Sequence, residues 1–188
     1  MPSPHPADPE LRPLRRLIHA DKAFRQIVRL AKFLETSALS PDEEAYMPVM
    51  AGLCYTYAQP FWGNDGLGPL AAKFREFTNQ VRFEKTHTAL LSGREWLYEH
   101  LGGETIFGSE KQSRIGRISI TLQPGGSIVF DEENPSWAEE ELRDIADLCR
   151  FQSNRLLPDI KALISELSEG KSYKLGSYVL GENFPARS

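Results

Sequence analysis

The chain has 188 residues, of which 40% are apolar, 26% are charged and 10% are aromatic, and its formal net charge is −4. These values exclude a disordered chain and argue against a protein that coats DNA, because phosphate binding needs many cations. The length suits one domain with a well-buried core. No apolar run approaches a membrane span and the N-terminus lacks an apolar signal-peptide core, so we expect a cytoplasmic protein.

The beginning of the chain is more basic than the rest. Residues 1–20 are rich in proline and are predicted to be a flexible lead, and a helix is predicted from Asp21. The apolar stripe of this helix consists of Phe24, Ile27, Val28, Ala31 and Leu34. The opposite side carries a basic stripe of Lys22, Arg25, Arg29 and Lys32.

The next two helical segments are separated by a glycine- and proline-rich stretch. Ser40 and Glu43 form a capping-box pattern, and the regular part of this helix is predicted from about Pro48 to Ala58. The stretch "QPFWGNDGLGPL" is predicted to be an ordered loop whose Phe61 and Trp62 pack in the core. One helix or a pair of helices is expected over 70–101, ending at Gly102-Gly103.

The pattern then changes from helical to strand-like. "RISITL" and "SIVF" flank the turn "QPGG", which predicts a β-hairpin near 114–131. A long helix follows a second capping box at Ser136 and Glu139, and Pro158 is predicted to kink or split it. Its apolar face consists of Leu142, Ile145, Cys149 and Leu156.

The fold class that follows is mainly α, a bundle of four or five helices with one inserted β-hairpin. The helical domain spans 21–170, and 171–188 form a C-terminal tail. Cys54 and Cys149 lie in apolar helical patterns and are expected to be buried free thiols. The four histidines and two cysteines show no metal-ligand spacing, and no nucleotide-binding glycine motif is present, so the sequence predicts no metal and no cofactor.

The candidate site is the pair Arg94 and His100. Six residues of helix place them about 120° apart around the axis and about 9 Å apart along it. Arg12 with His19 and Arg82 with His87 match the same R-x4-6-H spacing, but only Arg94 with His100 is predicted to have the helix context.

The stretch "THTALLSGREWLYEHLGGE" resembles an uncharacterised bacterial family of the HEPN superfamily, and "LCYTYAQPF" is similar to that family's preceding helix. The resemblance covers residues 20 to 170. It implies a homodimer that pairs through this helix and a metal-independent endoribonuclease of toxin or defence type. In that role a histidine is the base, arginine stabilises the charged phosphate and Glu95 orients the histidine.

This sequence departs from the superfamily pattern at three positions around the pair, Glu95, Glu99 and Leu101. These departures favour a module that has lost cleavage and binds a nucleotide, RNA or a protein partner. Arg94 in a structural ion pair and a solvated His100 are the structural alternatives. His87 is predicted to be a buried, hydrogen-bonded histidine.

The basic stripe has three interpretations. It is a solvated face, a face that meets the acidic "EEEL" helix, or a phosphate track formed by Lys22, Arg25, Arg29 and Lys32. The last of these is the predicted nucleic-acid-binding surface.

Overall fold

The computed structural model describes residues 11–37, 39–40, 43–63, 66–102, 118–122, 128–132 and 137–168, and the side chains of 94–102 and of the two strands lie outside this description. The helices are α1 (Arg12–Thr36), α2 (Tyr46–Trp62), α3 (Val81–Gly102) and α4 (Glu139–Leu167). The mainly α class predicted from the sequence is confirmed. The predicted tail, 171–188, lies outside the described residues.

Helix α1 begins at Arg12, so the prediction that it begins at Asp21 is wrong. Pro13 lies in its first turn, where proline is tolerated because the missing N–H has no partner within the helix. Leu14, Leu17 and Ala20 are buried and continue the apolar stripe by two turns. The stripe predicted for the remainder is confirmed, with Val28 only partly buried against the core.

Helix α2 begins at Tyr46, so Ser40 is not its N-cap. The carboxylate half of the predicted capping box does form, because the Ser40 N–H donates to Glu43 Oε1 at 3.1 Å. The bond closes a separate turn before the helix. Pro48 lies in the first turn, where proline is tolerated. The helix continues through Pro60 to Trp62 rather than ending at Ala58.

The loop after α2 is held to the end of that helix. Gly63 adopts a left-handed conformation at φ 68°, and a Cβ there would lie 2.6 Å from the Gly68 carbonyl carbon, so this C-cap requires glycine. The Leu70 N–H donates to the Pro60 carbonyl at 2.8 Å. Phe61 is buried as predicted, but Trp62 is 43% exposed and the prediction that it packs in the core is wrong.

A 3-10 turn, Ala72–Arg75, precedes α3, and α3 ends at Gly102 as the sequence predicts. The turn buries Phe74 in the core. Gln80 is followed directly by the helix, and its backbone carbonyl accepts from Glu84 at 3.1 Å. The predicted segment 70–101 is therefore one short turn followed by one long helix.

Helix α4 begins at Glu139 with Ala138 as N-cap, so the Ser136 cap is wrong. The Ala138 N–H donates to Glu141 Oε2 at 2.8 Å. The helix continues through Pro158 and is not split. Pro158 and Asn154, whose carbonyl loses its helical donor, are both exposed, so water can satisfy that carbonyl.

The core lies where the four helices meet. The predicted face of α4 is buried, and α1 packs most extensively against α4 and α2. The rings of Phe24, Tyr57 and Phe61 pack together at its centre, with centroids 5.3–6.0 Å apart. Between α3 and α4, two short antiparallel strands, β1 (Ile118–Leu122) and β2 (Ile128–Glu132), pair Ile118 with Glu132 and Leu122 with Ile128.

Candidate functional site

The basic face of α1, defined as Lys22, Arg25, Arg29 and Lys32, is exposed at all four positions. Arg25 is neutralised in part, because its Nε donates to Asp21 Oδ2 at 2.7 Å. The other three cations form no ion pair with any residue that the structure describes. They follow one another at helical spacing, so three unpaired positive charges line one side of the helix.

The basic face of α1 does not meet the acidic residues of α4 in the described part of the chain, so that interpretation of the stripe is wrong. Asp144 and Asp147 pair with Arg82 of α3 at 2.7 and 2.6 Å. Asp159 pairs with Lys73 at 2.5 Å, and Glu139 pairs with Arg143 of its own helix. Arg143 also reaches Glu35, at the far end of α1 from Lys22, at 2.9 Å.

Arg94, Glu95 and His100 all lie in the C-terminal half of α3, which continues as one helix through them to Gly102. Their side chains are outside the description, so the predicted contacts among them stay predictions. By helical spacing, position 94 falls on the same side of α3 as His87, and position 100 falls about 120° away from 94.

Helix α3 approaches α2 closely at the residue before Arg94. A Cβ on Gly93 would lie 2.8 Å from the Cys54 Sγ, so only glycine allows the two helices this separation. Cys54 and Cys149 are both fully buried and form no disulfide, as predicted. Burial raises the pKa of Cys54 to about 12 and that of Cys149 further, so neither is a thiolate nucleophile near neutral pH.

His87 is a buried, hydrogen-bonded histidine, and this prediction is confirmed. Its Nδ1 lies 2.6 Å from the Tyr57 hydroxyl, and the rings of Phe61 and Phe77 lie 4.9 and 5.0 Å from its own. Burial, with the nearby Arg75 cation as a smaller cause, lowers the pKa of His87 from 6.5 to about 4. The imidazole is therefore neutral at neutral pH and acts as a packing group.

A buried amide on α4 bonds to the 3-10 turn that precedes α3. Gln152 is fully buried; its Nε2 donates to the Phe74 carbonyl at 2.7 Å, and its Oε1 accepts from Arg155 at 3.3 Å. A carbonyl can only accept and a guanidinium can only donate, so these partners fix the orientation of the amide. Burial raises the pKa of Tyr57 well above its usual value, so this phenol stays protonated as a hydrogen-bonding group.

Arg155 is held over three rings. Its guanidinium lies 5.5 Å from the centroid of Phe74, 5.9 Å from that of Phe77 and 5.3 Å from that of Phe151. It also donates to the Lys73 carbonyl and, at 3.2 Å, to the Glu76 carbonyl. These cation–π contacts and hydrogen bonds secure the loop before α3 to α4. We refer to the buried Tyr57, His87 and Gln152, together with the half-buried Arg155, as the buried polar cluster.

The other two matches to the R-x4-6-H spacing also lie on helices, so helix context does not single out Arg94 and His100. Arg82 is bound to two aspartates and His87 is buried, which makes that pair structural. Arg12 and His19 lie on α1, and Arg12 donates to the Gly66 carbonyl at 2.5 Å. Arg16 and the exposed His19 line the same cleft, which sequence reasoning missed. The spacing between Arg12 and His19 was the signal that could have drawn attention to His19.

Among the described residues, no group of three or more histidines, cysteines or acids is placed to hold a metal ion. None of the helices described is both long enough and apolar enough to span a membrane. No family model matches the chain, and no match was found among curated proteins or solved structures.

Proposed function

We propose that the chain is a HEPN-like helical module that binds single-stranded RNA through the basic face of α1. The observation that carries the proposal is the row of exposed cations, Lys22, Arg29 and Lys32, without ion-pair partners in the described residues. Like charges at i and i+3 or i+4 destabilise a helix by ~0.2–0.5 kcal/mol per pair. Bound phosphates would relieve this repulsion and release counterions from the strand.

The net charge of −4 does not oppose this proposal, because Asp144, Asp147 and Asp159 of α4 pair with cations that lie outside the basic face. Local potential on one face governs the encounter with a polyanion more than the total charge does. Lys22 and Arg29 are seven residues apart, which separates them by about 10.5 Å along α1. The face therefore presents a linear track that suits a flexible single strand.

The proposed binding is modest and depends strongly on salt. Three phosphate contacts on a single strand give a slope of about −2 for the logarithm of the association constant against the logarithm of the salt concentration. Double-stranded RNA is rigid and would touch the short track over fewer phosphates, so we expect weaker binding of a duplex of the same length.

The test is fluorescence anisotropy with a labelled 20-nucleotide single-stranded RNA in low salt, comparing two double variants. Lys22→Glu/Lys32→Glu reverses two charges on the basic face, and Lys85→Glu/Lys161→Glu reverses two exposed lysines on α3 and α4. Both make the same change in net charge. We expect the first to weaken binding about tenfold or more and the second to change it less than about twofold.

Equal losses in the two double variants would show that only net charge matters, and the proposed surface would be wrong. Absence of binding by the unchanged protein would reject RNA binding as such. Binding of a nucleotide or of a protein in place of RNA is then tested with the same two variants.

A second candidate is the metal-independent endoribonuclease with Arg94 and His100 in its site, Glu95 orienting the histidine and two copies paired through α3. The continuity of α3 through both residues favours it, because a shared helix fixes their separation. The test is incubation with mixed single-stranded RNA in EDTA, beside Arg94→Ala and His100→Ala. Cleavage that both substitutions abolish supports it, and intact RNA rejects it; sedimentation tests the homodimer separately.

A further inference from the structure

A shallow cleft lies between α1 and the C-terminal end of α2, adjacent to the basic face. Its lining includes Arg16, His19, Ala20, Ala23, Gln59 and Gly68. The cleft has a volume of about 40 Å³. Since one bound water needs at least ~10–15 Å³ by this measure, there is room for a tetrahedral anion or a few waters, but not for a nucleoside.

Arg16 brings an unsatisfied donor to this cleft. Its Nε is shielded from water and has no hydrogen-bond partner among the residues the structure describes. Leaving a buried donor unpaired is unfavourable, and more so when the group is charged. Such a group in a native structure calls for an explanation, and a bound ion is one that fits its charge.

The wall of the cleft opposite α1 is joined to α1 by a hydrogen bond. Arg12 donates to the Gly66 carbonyl, which ties the glycine-rich turn to α1. Gly68 has φ +84°, and a Cβ built on it would lie 3.7 Å from Arg16 Nη1, in ordinary contact. The guanidinium therefore lies directly against a turn whose backbone conformation favours glycine.

We infer that this cleft binds one phosphate group, with Arg16 as the principal ligand and His19 and Gln59 as further donors. His19 and Lys22 are three positions apart, so the two lie about one turn apart on the same side of α1. The cleft is thus continuous with the basic face. That the phosphate belongs to an RNA strand lying on the basic face rests on the proposed function. Binding of a phosphate group in the cleft does not.

The first arm of the test uses inorganic phosphate as the probe. The ring signals of His19, assigned with His19→Gln, are followed by NMR while phosphate replaces chloride at constant ionic strength. We expect a saturable shift in the unchanged protein and in the control Arg15→Gln, which alters the neighbouring arginine outside the lining. Arg16→Gln should abolish the shift. No saturable shift, or an equal shift in Arg16→Gln, would overturn the inference.

The variant Arg16→Lys is a second test in case Arg16→Gln does not fold. It keeps the positive charge and removes the Nε donor, so phosphate should bind several times more weakly if that donor is used. Equal phosphate affinity in Arg16→Lys and the unchanged protein would show that the buried Nε has no part in binding.

The second arm measures RNA affinity for Arg16→Gln and Arg15→Gln. We expect Arg16→Gln to weaken RNA binding about threefold to tenfold more than the control. Phosphate binding without that difference would mean that the cleft takes free phosphate, and the inference about the strand would be wrong. RNA binding that depends on Lys22 and Lys32 but not on Arg16 would reject the cleft and leave the proposed function intact.

Discussion

The buried polar cluster and the basic face of α1 use polar residues in opposite ways. In the cluster, Gln152 and Arg155 are matched to carbonyls and rings that come from distant parts of the chain. On the basic face, Lys22 and Lys32 are exposed and have no ion-pair partner among the described residues. The first arrangement satisfies groups that burial would otherwise penalise, whereas the second leaves its charge exposed to solvent.

Location decides whether a charged residue contributes to the fold or stays exposed on the surface. Arg155 and Arg82 are tied to the fold by rings, carbonyls or aspartates. Substitution there should change the free energy of unfolding and leave RNA affinity unaltered. Substitution on the basic face should do the reverse, and four measurements test this division.

The largest effect is expected from the titration of His87. Its pKa is lowered from 6.5 to about 4 in the folded protein, so between these values the unfolded chain binds more protons. Stability is therefore full above about pH 6.5 and falls by roughly 3 kcal/mol as the pH approaches 4. His87→Gln removes the titration, and urea unfolding from pH 7 to 4 measures the difference from the unchanged protein. Parallel pH profiles would contradict the prediction.

The second effect concerns Gln152→Leu. The substitution leaves the Phe74 carbonyl without its side-chain donor and Arg155 without one of its acceptors, at a cost of about 2 kcal/mol. Gln26→Leu, at an exposed position of α1, is the matched control and should change stability by less than ~0.5 kcal/mol. Chemical denaturation provides both values. A loss of RNA affinity in Gln152→Leu, in protein shown to be folded, would mean that the two regions are coupled.

A smaller loss is expected for Arg82→Ala. This arginine joins α3 to Asp144 and Asp147 of α4, but its side chain is 54% exposed. Exposed pairs contribute about 0.2–1 kcal/mol each, so the variant should lose about 1 kcal/mol in low salt and less in high salt. Thermal unfolding at two salt concentrations measures this. A loss that does not depend on salt would point to packing of the side chain instead.

The smallest effect on stability is predicted for Lys22→Glu/Lys32→Glu. Neither lysine has an ion-pair partner in the described residues, so the free energy of unfolding should change by less than ~0.5 kcal/mol. The slope of the logarithm of the association constant for RNA against the logarithm of the salt concentration should become shallower, from about −2 to between about −1 and 0. A variant that unfolds readily would show that these lysines belong to the structural group.

The sequence predicted those elements that are defined by periodic burial. The apolar face of α4 and the part of the α1 stripe from Phe24 onward are predictable because their buried residues recur at helical spacing. Helix α3 ends at Gly102, as its glycine pair predicts. Helix starts were predicted poorly. The Ser40–Glu43 bond is a local one that forms without nucleating a helix, and at Ser136 the same signal lies before the helix begins at Glu139.

The contacts of the buried polar cluster and the cleft around Arg16 could not be predicted from local sequence patterns. His87 was recognised as buried, but its partner Tyr57 lies 30 residues away, and Gln152 bonds to a carbonyl 78 residues away. Contacts at such separations follow from how the helices pack and not from local spacing. The cleft around Arg16 was missed for the same reason, because α2 and the glycine turn supply its other walls. Exposure of the basic stripe was predictable, since it lies opposite the buried one.

The close approach of Gly93 to Cys54 makes the labelling rate of the Cys54 thiol a measure of local opening in the bundle. Cys54 and Cys149 are both fully buried, so an alkylating reagent can reach either sulfur only when the fold opens locally. Gly93 of α3 lies close to the Cys54 sulfur, so the ratio of the two labelling rates compares opening at the α2–α3 contact with opening around Cys149 of α4. A faster rate at Cys54 would mean that the α2–α3 contact opens while the surroundings of Cys149 stay closed.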